Sequence, residues 1–170
     1  MEPQQNPFQE RLVAFLSYSE MAFLAVSLLG LSFYHLSIGG ARQLILFGFT
    51  GLAVTYFLTG YTNPPRLADQ VEESEQKGFF DLLIKVILRK VIFIGCSIVI
   101  VGHLMGVLDL NGAGQIMLVG AASLILSVVI CLVAILRKPD FKAILKAPLL
   151  RAVPLGLLGV YWLYSHGLNA

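Results

Sequence analysis

The residues able to do chemistry are few, and one stands alone. Glu20 is the only carboxylate inside a long apolar run, and ionisable side chains in membrane segments often mark proton or ion pathways. Its other natural role is an ion pair with a basic residue at the membrane boundary, for which Arg89 and Lys90 are the expected partners. The three histidines, His35, His103 and His166, all come out at the same side of the chain's apolar segments. Imidazole suits zinc, copper or haem iron, so convergence of the three would make a metal or haem site. Equally, Tyr34, Tyr161, Trp162 and Tyr164 beside them are the aromatic belt of a membrane interface, where histidine is also at home. Asp109-Leu110-Asn111-Gly112 lacks the further carboxylates of a calcium loop. No Ser-His-Asp set, paired intramembrane carboxylates, phosphate-binding loop or His-Glu-x-x-His occurs, so nothing argues for an enzyme and no cofactor is required.

The elements that must position these residues follow from composition. The chain has 170 residues, 57% hydrophobic and only 13% charged, far from the about 25% charge of a soluble domain. That excludes a soluble globular enzyme, a disordered tail and a disulfide-stapled secreted module. Cys96 and Cys131 both lie in apolar runs with no Cys-x-x-Cys spacing and read as small buried hydrophobes. The net charge of +2 gives no reason to expect nucleic acid as a partner. The expected fold is all-α: a polytopic integral membrane protein with four or five transmembrane helices, because runs of about 20 apolar residues match a hydrocarbon core about 30 Å thick.

The expected organisation is an N-terminal stretch over 1–11, a first transmembrane hairpin over 12–61 and a connection with an amphipathic helix over 62–90. A second hairpin follows over 91–136, then a basic amphipathic segment over 137–151 and a fifth membrane helix over 152–170. Assigning the connections to alternate sides places eleven of the twelve basic residues on one side, Arg42 being the exception. The positive-inside rule makes that side cytoplasmic, so the chain is expected to be a multi-pass protein of the cytoplasmic (inner) membrane with its N-terminus inside. Asp81, Lys85 and Arg89, and again Lys138, Lys142 and Lys146, recur every four residues beside apolar faces. Such helices are expected at the headgroup level, with anionic lipid as their partner.

The chain also resembles itself. Gly40-Ala41-Arg42-Gln43-Leu44-Ile45-Leu46-Phe47-Gly48 returns as Gly112-Ala113-Gly114-Gln115-Ile116-Met117-Leu118-Val119-Gly120, with five identities in nine. Aligning His35-Leu36 upstream with His103-Leu104 makes the second loop four residues longer and sets Glu20 opposite Leu88. Two parallel-related hairpins are therefore expected, with Leu157-Leu158-Gly159 as the possible start of a third arm. Gly48, Gly102, Gly106 and Gly120 are the candidate sites of close helix approach.

The Gly-Ala turn followed by an apolar Leu- and Gly-containing helix, mainly Gly112 to Gly120, resembles the membrane hairpin of the gliding-motility motor subunit GldL. The resemblance covers about 20 residues per copy. The His-Trp-Pro before Gly-Ala in that family is Asp109-Leu110-Asn111 in one hairpin and Leu36-Ser37-Ile38-Gly39 in the other. It implies a membrane hairpin that associates with other helices, and no functional residue is carried over. The leading expectation is thus a non-enzymatic structural or interaction component of a membrane complex, self-associating or bound to a membrane protein partner. The alternatives are a small transporter or ion- or proton-conducting subunit using Glu20, and a metal or haem protein using the three histidines.

Overall fold

The computed structural model describes residues 7–62, 83–138 and 141–166. Five α-helices account for nearly all of them: α1 Pro7–His35, α2 Ala41–Tyr61, α3 Leu88–Val107, α4 Ala113–Arg137 and α5 Phe141–His166. A π-helical turn, Leu83–Ile87, leads directly into α3. Each helix contains a stretch long and apolar enough to cross a membrane, and no strand occurs among the described residues. The protein is an all-α polytopic membrane protein.

Helices form here because a lipid-facing backbone has no partner but itself. They end where the sequence supplies a reason. α1 stops at a turn in which the N–H groups of Leu36 and Ile38 bond the carbonyls of Ser32 and Phe33, and Gly40 at φ 85° opens α2. α2 gives way at Thr62, whose extended backbone precedes Asn63-Pro64-Pro65. α4 ends at Arg137, with Lys138 extended before Pro139.

Consecutive helices pack on one another, α5 also packs on α3, and α1 is packed along its length on α2. α3 is thus central and α1 peripheral. The shared core is built from Ile45, Ile92, Val99, Met117, Leu124 and Leu145, all fully buried. The turns at 36–40 and 108–112 lie at one end of the bundle, joined by Arg42 and Asp109 at 3.9 Å. The opposite end carries Arg11, Arg89, Lys90, Arg137, Lys138, Lys142 and Lys146.

The two hairpins correspond residue for residue at a constant separation of 72. Ser37 and Asp109 both have φ 55°, and Gly40 and Gly112 have φ 85° and 89°. The turn hydrogen bonds match as well: Ile38 N–H to Phe33 and Leu110 N–H to Met105, Leu44 N–H to Gly40 and Ile116 N–H to Gly112. This register differs from the one that the histidines suggest. Leu36 corresponds to Leu108, His103 to Leu31 and Glu20 to Ile92, and the second turn has no insertion. A backbone turn with two left-handed residues fixes register more strictly than a shared histidine, which has no conformational requirement of its own.

Two further differences concern boundaries. Residues 141–151 of the basic segment expected over 137–151 and the helix expected from 152 form one helix, α5, about 39 Å long. Pro148 and Pro154 lie inside it, each removing one intrahelical bond, which neighbouring helices in a membrane bundle tolerate. Of the connection with an amphipathic helix expected over 62–90, residues 63–82, Asp81 among them, lie outside the described residues. From residue 83 it is continuous with α3, with Ile84 and Leu88 buried in the bundle core.

Candidate functional site

Glu20 sits midway along α1, fifteen residues before His35. Arg151 sits fifteen residues before His166 on α5, so the two side chains share a depth. They meet as a fork: Arg151 Nε donates to Glu20 Oε1 at 2.6 Å and Nη2 to Oε2 at 2.8 Å. Tyr56 of α2, fifteen residues into that helix from Ala41, donates its hydroxyl to the same Oε1 at 3.1 Å. One carboxylate therefore ties α1 to α2 and α5 through three donors. Charge-assisted, two-pronged contacts of this kind are the strong class of hydrogen bond, and both charged side chains are largely withdrawn from solvent.

Arg89 and Lys90, the expected partners of Glu20, are occupied elsewhere. Arg89 Nη1 donates to the Thr62 carbonyl at 3.1 Å and its guanidinium lies 5.5 Å from the Phe93 ring centre. Lys90 Nζ lies 5.8 Å from the Tyr61 ring centre. Both residues begin α3, below the level of Glu20, and so serve the end of α2 rather than the middle of α1.

Between these groups is a partly open cavity of about 220 Å³. α1 contributes Ser17 and Glu20, α2 Thr59 with Thr62 just past its end, α3 Arg89, and α5 Pro148 and Arg151. Thr59 and Thr62 donate their hydroxyls back to the carbonyls of Thr55 and Thr59, so the charged donors facing this space are the two guanidinium groups. Pro148 has no N–H, which leaves the Ile144 carbonyl on the α5 wall without its usual intrahelical donor.

The three histidines have different surroundings. His35 is exposed beside Tyr34. His103 packs near Phe49, its ring centre 6.1 Å away, and its buried Nδ1 has no hydrogen-bond partner among the described residues. His166 stacks on Trp162 at 4.8 Å, with Nδ1 2.8 Å from Ser165 Oγ. Among the described residues no three His, Cys, Asp or Glu side chains are grouped to hold a metal ion. Cys96 and Cys131 are free and buried.

The glycines mark where helices touch. A Cβ on Gly48 would fall 2.8 Å from the Ser27 backbone nitrogen, and one on Gly120 2.9 Å from that of Val99. Gly30 and Gly102 stand in the same relation to Ile45 and Met117, at 2.9 and 3.0 Å. Gly106 faces the Trp162 ring of α5 instead, so Gly102 and Gly106 serve two different neighbours.

Sequence reasoning alone misses Arg151 and Tyr56 as partners of Glu20, and Gly30 as a contact within the first hairpin. The signal for the first two was depth: counted from the turn end of its own helix, each lies at the same distance as Glu20. The chain matches no family model, no curated protein and no solved structure.

Proposed function

We propose that this protein is a non-enzymatic component of the cytoplasmic membrane, N-terminus inside, that works by assembling with a second membrane protein or another copy of itself. The observation that carries this reading is the state of Glu20. Both of its oxygens are committed to Arg151 and Tyr56, so it acts as a clasp between helices and offers no free face to a travelling ion. The orientation rests on charge: the basic end faces the cytoplasm, and Arg42 at the other end is offset by Asp109 across the two turns. The 72-residue correspondence supports an internal duplication of the hairpin. The similarity of Gly112 to Gly120 to the GldL hairpin, which implies association with other helices, points the same way.

α1 is the helix to test, because it turns only a small part of its surface into the bundle and exposes Phe15, Tyr18 and Met21. A photo-crosslinking phenylalanine analogue at Tyr18 should yield an adduct with a second polypeptide in native membranes. A Cys introduced at Ser37 should react with an impermeant thiol reagent from outside the cell, whereas one at Lys142 should not. Adducts with lipid alone would overturn the assembly reading. Flux through proteoliposomes that is lost in Glu20→Gln would return Glu20 to a transport role.

A further inference from the structure

We infer that the cavity between α1, α2, α3 and α5 is a binding site for a phosphate-bearing anion, held by Arg89 at the boundary between the hydrocarbon core and the headgroups, with the Glu20–Arg151 pair deeper in the same cavity.

The charge of the lining comes first. Two arginines and one glutamate face the space, and Glu20 is already matched by Arg151. Arg89 is left as the uncompensated charge among the lining residues. It spends one of its five N–H donors on the Thr62 carbonyl, and no described carboxylate lies within ion-pair distance of it. A guanidinium with a free donor edge in a partly enclosed space recognises the oxygens of a phosphate, and a monoanion would close the charge balance.

Depth supports the same ligand. From Ala41 to Tyr61, α2 spans about 31 Å, close to the thickness of the hydrocarbon core. Thr62 and Arg89, at the far end of that span, therefore stand where lipid phosphates lie. α1 and α5 are joined by the Glu20–Arg151 clasp but not packed along their lengths, and the cavity that they help to line is not fully enclosed, as entry of a lipid requires. Its volume far exceeds the roughly 10–15 Å³ that one water needs. Apolar Val13, Leu16 and Phe93 complete the wall, as suits an amphiphile whose charged end enters first. This inference stands independently of the assembly reading, since a monomer would keep the site.

The test uses the full chain, delipidated in a maltoside detergent, with binding followed by thermal shift and by native mass spectrometry. The probes are dioctanoyl phosphatidylglycerol, dioctanoyl phosphatidylcholine and inorganic phosphate. Phosphatidylglycerol should bind roughly tenfold or more tightly than phosphatidylcholine, and Arg89→Gln should abolish that preference. Lys142→Gln with Lys146→Gln, which removes charge outside the cavity, should leave it intact. If inorganic phosphate also binds, depends on Arg89 and competes with the lipid, the anion site stands and free phosphate is a source of its ligand. If only the lipid binds, the headgroup is the source. Arg89→Lys keeps the charge and loses the planar fork, so it should lose most of the preference and serves where the glutamine variant does not fold. Equal binding of the two lipids, or a preference unchanged by both Arg89 variants, overturns the proposal.

Discussion

At the scale of single residues, the pair Glu20–Arg151 makes a sharp demand, because each partner was brought into the bundle only in the company of the other. Arg151→Ala leaves a carboxylate with Tyr56 alone. Removing one member of a buried pair costs about 3–5 kcal/mol, and the partial exposure of this pair puts the expected loss toward the lower end. Replacing both, as Glu20→Leu with Arg151→Met, should recover most of that stability, since no charge is stranded. Thermal unfolding of the three proteins in detergent decides the point. If the single variant unfolds with the wild type, the pair is not a clasp. The turn glycines give a second test. Gly40→Ala and Gly112→Ala force a Cβ into the left-handed region and should each cost about 1–2 kcal/mol. Gly39→Ala has open space and no positive φ, and should be nearly neutral. A cost at position 39 equal to that at 40 would contradict the turn geometry.

Helices respond according to their place in the bundle. Gly30 and Gly102 hold equivalent positions in their hairpins, yet α1 packs along its length on α2 alone while α3 touches α2, α4 and α5. Gly30→Leu should therefore push α1 away and leave the remaining helices assembled, whereas Gly102→Leu should prevent folding altogether. A bifunctional thiol reagent bridging Ser17→Cys and Ala147→Cys, on opposite walls of the cavity, reads the position of α1. The bridge should be lost in Gly30→Leu while the protein still elutes as a folded species. Much at this scale was legible from the chain. Continuous apolar runs give helices, Pro64-Pro65 and Pro139 give their ends, and Gly-Ala gives the turns. The register of the return helices was legible in residues 40–48 and 112–120, but that of α1 against α3 was not, because the paired histidines drew it four residues away from the one set by the backbone at Ser37 and Asp109. The start of α5 was also hidden, because lysines and two prolines in a helix look like a break unless neighbouring helices are known to cover them.

For the molecule as a whole, what could be read was the crossing pattern and the asymmetry of charge; what could not was which helices would close on each other. The Glu20–Arg151 contact joins residues 131 apart in the chain, and no local pattern encodes a contact between helices so far separated. That separation has a consequence during synthesis. At the centre of a lone helix such a charge costs about 2.5–3.5 kcal/mol; Tyr56 relieves part of that penalty for Glu20, and Arg151 supplies the matching charge. When α1 enters the bilayer its arginine partner has not yet been translated, so the nascent protein carries a glutamate without that partner until α5 has been made. A chain stopped after Lys138 should accordingly be cleared from the membrane faster than the full-length protein. Glu20→Leu in that truncated chain should restore its level, as pulse–chase labelling would show; equal turnover of the two truncated chains would refute the idea. The clasp between α1 and α5 thereby doubles as a proofreading mark, since a chain is rid of its unmatched charge only once α5 has been made.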